Sequence, residues 1–150
     1  VYNYFSSKSD LLFKLLLSSI YDALKRGDKM VDMANAPLVE SMVALSAHYF
    51  ELFYTFRKDL WREILVRLFS GEIEQTAAEE ISARLLAQFE LLFEAAPSRQ
   101  RHVDGALFAR TALSAMMTQF IVYVRSERLV SDRDIDELRA RFELLTSGLA

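Results

Sequence analysis

Two histidines, His48 and His102, and one acidic cluster, Glu72, Glu74, Glu79 and Glu80, are the groups in this chain whose types could hold a metal ion or move a proton. Their spacing does not support either task. His48 is preceded at three residues by Leu45 and His102 by Arg99, so the Glu-x-x-His pairs of di-iron helical bundles are missing. An HExxH pair, a glycine-rich phosphate loop and a nucleophile elbow are missing as well. The glutamates fall near a helix start, where the helix dipole favours acids, and read as a solvated face. His102 follows the basic run Arg99-Gln100-Arg101 and reads as solvent-exposed. The absence of cysteine excludes disulfides, thiol catalysis and cysteine-held metals, and it is compatible with a cytoplasmic protein. No enzymatic activity, metal or cofactor is expected.

The other chemistry on offer is apolar. Eleven Phe, six Tyr and one Trp are concentrated on segments with helical spacing. Ligand pockets combine a greasy wall with a few orienting polar groups. On that basis the expected wall comprises Tyr49 and Phe53, Trp61 and Leu65, Phe89 and Phe93, and Leu113, Met117 and Phe120. Met117 can adapt its shape to an occupant. His48, at the edge of its helix's apolar arc and one turn from Glu51, is a further candidate that could instead pair with that glutamate. The expected ligand is a hydrophobic or aromatic small molecule.

Positioning such a wall needs several helices, and the punctuation predicts them. Only four glycines and two prolines interrupt 150 residues, and strand-like alternation is lacking, so the chain reads as all-α. Its length suits one domain, and a 52% apolar content is ample for one core. Six helices are expected. The first runs from about Lys8 to Ala34, with Gly27 a weak point midway, and Asn35-Ala36-Pro37 breaks it. The second opens at Pro37, where a missing N–H costs nothing, and runs to about Phe56 as a candidate for the middle of the fold. Asp59 can cap a third helix ended by Ser70-Gly71. A fourth runs from about Glu72 to Ala96 and stops at Pro97; a fifth from Asp104 to about Ser126; a sixth from Ser131 or Asp132 to Leu149. The longest apolar stretch, Ala106 to Val124, contains Arg110, Thr111, Thr118 and Gln119, too polar for a comfortable membrane span but normal for a buried helix.

The fifth helix carries two stripes that both want burial. Leu113, Met117, Phe120 and Val124 form one, and Phe108, Thr111, Ala112, Ala115, Gln119 and Val122 lie almost opposite. Ile135, Leu138, Phe142 and Leu145 of the sixth add the stripe of a bundle seam. A second copy of the chain would cover the surplus face, so a homodimer through the last two helices is expected. The composition leaves open which face of the fifth helix meets the partner.

The first ten residues read as the tail of one helix, a turn and the start of the next. Ser7 and Asp10 form a capping box ahead of the apolar run from Leu11, and Lys8 in the new helix's first turn is placed to reach an anion. The stretch Tyr2-Asn3-Tyr4-Phe5-Ser6-Ser7-Lys8-Ser9-Asp10-Leu11 resembles the end of the DNA-recognition helix and the start of the fourth helix in the tetracycline-repressor (TetR) family, whose pattern runs Y-x-[YH]-F-x-s-K-e-x-L. Ser9 stands where that family has an acid.

The resemblance implies a TetR-like regulatory domain over residues 8–150, preceded at 1–7 by a remnant of a helix-turn-helix head whose other helices are absent from a chain beginning at Val1. The last two helices of each subunit would form a dimeric four-helix bundle. In the full-length protein Tyr2, Tyr4 and Lys8 would contact operator phosphates and Asn3 would lie near the bases. The net charge of −3 argues against this portion binding DNA by itself. The implied function is repression by a homodimer released from a palindromic operator when a hydrophobic effector binds. The alternative is a helical module that binds lipid, another hydrophobic ligand or a protein partner, with no DNA role.

Overall fold

The computed structural model of the chain describes residues 8–71, 75–96, 103–127 and 133–147. Within them every regular element is a helix: α1 (Lys8–Asp32), α2 (Leu38–Thr55), α3 (Lys58–Phe69), α4 (Gln75–Ala95), α5 (Gly105–Arg125) and α6 (Arg133–Ser147). The all-α reading and its six helices therefore stand. Tyr2, Asn3, Tyr4, the capping role of Ser7, Glu72, Glu74, the Pro97 stop, His102, the Ser131 or Asp132 start and Leu149 lie outside the described residues.

The helix ends follow local chemistry. Asp104 caps α5 by accepting from the Ala106 N–H at 2.9 Å. Gly71, at φ +78°, takes the left-handed conformation that ends α3. Asp59 does not cap α3: the helix begins one residue earlier, with Arg57 at the cap, and the Asp59 carboxylate accepts from Arg57 Nε and the Leu60 N–H, each at 3.2 Å.

Helix α2 occupies the middle, packed against α1, α4, α5 and α6. Met42, Leu45, Tyr49 and Phe50 along it are almost wholly buried. Helix α1 runs unbroken through Gly27, which is buried rather than a weak point. Helix α5 is long and apolar enough to cross a membrane by length and composition, and much of its surface is packed inside the bundle.

That packing narrows the faces left for a partner. Phe108, Ala112, Gln119, Leu138 and Phe142 are buried within one chain, so they are intramolecular core and cannot meet a second copy. The two stripes of α5 are flanks of one wide buried arc whose centre is filled by Ala109, Met116 and Tyr123. Gln119 turns inward because α6 offers it acceptors. Its Nε2 donates to Asp134 Oδ1 and Glu137 Oε2, each at 3.0 Å, and the Tyr54 hydroxyl donates to Asp134 Oδ2 at 2.9 Å. These bonds tie α6 to both α5 and α2. Ala115, Ile135 and Leu145 are partly buried against the same core, while Thr111 and Val122 remain exposed.

Candidate functional site

A cavity of about 220 Å³ lies between α1, α2, α3, α4 and α5. Each helix contributes a face in keeping with its periodicity. From α1 come Phe13, Leu16, Leu17, Ile20 and Leu24; from α2, Tyr49, Leu52 and Phe53. Helix α3 supplies Trp61, Ile64, Leu65 and Leu68, and α5 supplies Leu113, Met116, Met117 and Phe120. The first half of α4 closes the wall with Ala77, Ala78, Ile81, Ser82 and Leu85. Leu68 and Ser82 are exposed and mark its mouth. A second pocket of about 430 Å³ beside the α1–α2 turn is walled by exposed Ala34, Asn35, Ala36 and Pro37 and by buried Leu38, Leu92 and Ala96.

Of the expected wall, the structure brings together Tyr49, Phe53, Trp61, Leu65, Leu113, Met117 and Phe120. Phe53, Trp61 and Phe120 form its aromatic end, with Trp61 edge-on to Phe53 at 5.6 Å and to Phe120 at 5.1 Å. The Trp61 indole N–H donates to the Phe53 carbonyl at 2.8 Å, which satisfies its one polar atom.

Phe89, Phe93 and His48 do not line the cavity. A row at four-residue spacing winds about 40° per step around a helix of 3.6 residues per turn. The α4 row therefore leaves the cavity after Leu85 and carries Phe89 toward Phe142, 6.2 Å away, and Phe93 onto Phe108, where the rings stack at 4.6 Å. His48 pairs with α1 rather than with Glu51 or a ligand: its Nε2–H donates to the Ala23 carbonyl at 2.8 Å. The residues missed were chiefly those of α1. Helical spacing sets Leu16, Ile20 and Leu24 on one stripe, but nothing in one helix's period says which neighbours leave a space beside it.

Behind the cavity wall lies a buried polar node. The Tyr49 ring faces the cavity and its hydroxyl donates to Gln88 Oε1. Gln88, itself only 1% exposed, donates through Nε2 to the Leu24 carbonyl at 3.0 Å and to Asp28 Oδ1 at 2.8 Å. Arg84 completes the chain with a 2.8 Å ion pair to Asp28 Oδ2. Gly27 makes room for this arrangement: a Cβ there would stand 2.7 Å from Gln88 Oε1 and closer still to the Tyr49 oxygen. Burial, the largest influence, pushes the Tyr49 phenol up to about 12. Burial would also raise the Asp28 carboxyl, but hydrogen bonds from Gln88 and Arg84 and the Arg84 charge outweigh it and hold that group below its ordinary value.

No protein-family model, curated protein or solved structure matches the chain. The cavity is thus judged on its own chemistry. Among the described residues no group of three or more His, Asp or Glu side chains is placed to hold a metal ion. No charged side chain among the described residues lines the cavity, so its walls can hold a hydrophobic body and supply little else.

Proposed function

We propose that this chain is the effector-binding and dimerisation part of a TetR-like transcriptional regulator, released from operator DNA by a hydrophobic small molecule. The observation that carries this reading is that five residues of α1, from Phe13 to Leu24, form one wall of the cavity. In the resembling family this helix joins the DNA head to the core, so an occupant would press directly on the element whose position sets the spacing of two recognition helices. Release follows only if the occupant binds the released geometry more tightly than the DNA-bound one.

The Tyr49, Gln88 and Gly27 contact supports the same reading, because it couples the cavity wall to the middle of α1 through groups with little freedom to yield. An exposed apolar face of α5 supports the homodimer. Leu107, Ile121 and Val122 are 55%, 37% and 40% exposed there, and Leu144 of α6 is 76% exposed. A second copy would remove these side chains from water. Lys8 is exposed at the start of α1 and would lie against a phosphate.

The test is footprinting on genomic DNA flanking the gene, with the natural product of the reading frame that contains this chain. A protected palindrome that opens on adding a hydrophobic ligand, with strong salt dependence, is the expected outcome. A product that binds hydrophobic ligands but protects no DNA would leave the chain a ligand-binding helical module and remove the repressor role.

A further inference from the structure

We infer that the cavity selects an uncharged hydrophobic molecule of roughly nine or ten non-hydrogen atoms and excludes charged molecules of the same shape. This rests on reading the cavity as a ligand site and narrows what that site takes.

The size follows from the volume. An apolar cavity of about 150 Å³ in another protein accommodates benzene, with its six carbons. Scaling that ratio to the 220 Å³ found here gives roughly nine atoms.

The charge selection follows from where each polar hydrogen is committed. The Tyr49 proton goes to Gln88 Oε1 and the Trp61 N–H to the Phe53 carbonyl. The remaining lining hydroxyl, Ser82, stands at the exposed mouth. A carboxylate in the interior would therefore meet apolar carbon, with no donor among the described residues to replace water. A neutral hydroxyl loses far less on leaving water and fits, with its oxygen toward Ser82 at the mouth. An ammonium fares no better than a carboxylate. The lining rings, Phe13, Tyr49, Phe53, Trp61 and Phe120, offer it only cation–π attraction, which returns less than stripping an ammonium of its water costs.

The test compares 1-octanol, octanoate and octylammonium, matched in length, by titration calorimetry and by the emission of Trp61, the only tryptophan. At pH 7.5 octanol should bind at least about a hundredfold more tightly than either ion. Octanoate should gain affinity by about tenfold for each pH unit down to pH 5.5, in step with its own neutral fraction. Replacing exposed Ser82 with lysine, a change at the mouth that spares the core, should narrow the octanol-to-octanoate ratio about fivefold. Octanoate or octylammonium binding within tenfold of octanol would overturn the charge selection while leaving the ligand site standing. An unchanged ratio in Ser82→Lys would overturn the placement of the ligand's polar end. Silence from octanol and from naphthalene alike, in protein whose helix content is intact, would overturn the ligand site and this inference together.

Discussion

The hydroxyl of Tyr49 donates to the side-chain carbonyl of Gln88 across the one buried position of α1 that has no side chain, Gly27. Three helices meet at that point, and one partner, Tyr49, also faces the cavity. The contact joins a residue of the cavity wall to the middle of α1.

Gly27→Ala tests the contact by its sign. In a helix interior the change ordinarily stabilises by about 1 kcal/mol. Here the added Cβ meets Gln88 and Tyr49, and Gln88 is held by Leu24 and Asp28 as well, so it cannot step aside without breaking buried bonds. Overpacking of about 1–3 kcal/mol, with a buried hydrogen bond lost, exceeds the propensity gain. Urea denaturation should show a net loss of about 2 kcal/mol, and a stabilised variant would contradict the packing described.

Tyr49→Phe should destabilise by about 1–2 kcal/mol at neutral pH, since Gln88 Oε1 loses its donor. The pH dependence carries a second signature. Folding raises the Tyr49 pKa from 10 to about 12, so between those values the unfolded chain ionises while the folded chain holds its proton. Stability from this group is complete below pH 10 and is lost as pH rises through 12, by about 2–3 kcal/mol at most. Wild type should therefore forfeit its advantage over Tyr49→Phe across that window. Parallel stability curves for the two proteins would show that the phenol is not held as described.

Ala78→Leu should fill the cavity from α4. Ala78 lines it and is half-buried, so the new methyl groups enter space rather than a packed core. A gain of about 1 kcal/mol in stability is expected, together with loss of the Trp61 emission response to 1-octanol. A loss of more than about 1 kcal/mol would mean that the space is smaller than it measures.

Ile121→Arg addresses the homodimer. Ile121 is 37% exposed on the outward face of α5, so the variant should keep its helical circular dichroism while its sedimentation shifts from dimer to monomer. Ala112→Arg, by contrast, puts a charge at a position with 0% exposure and should unfold the chain, with a loss above about 4 kcal/mol. Wild-type protein that sediments as a monomer at tens of micromolar, roughly the range in which such an interface assembles, would end the dimer proposal.

Most of the helix boundaries were legible along the chain because they depend on neighbours in sequence. The Asn35-Ala36-Pro37 break, the Asp104 cap and the Ser70-Gly71 stop each act within a few residues. The apolar character of the cavity was legible for the same reason, since Tyr49, Phe53, Trp61, Leu113 and Phe120 all carry the periodic signal of an inward face.

What only tertiary structure decided was which inward face meets which. Phe89 and Leu85 belong to one row on α4, yet the winding of that row sends one into the core and leaves the other on the cavity. Gln119 looked like a polar residue on a surplus face until α6 brought Asp134 and Glu137 against it. Gly27 looked like a flaw in a helix, because a missing side chain has no meaning until Tyr49 and Gln88 arrive from elsewhere to occupy its place. Periodicity reports that a face is buried. The partner that buries it lies far along the chain, and its identity is set by how all six helices share one interior.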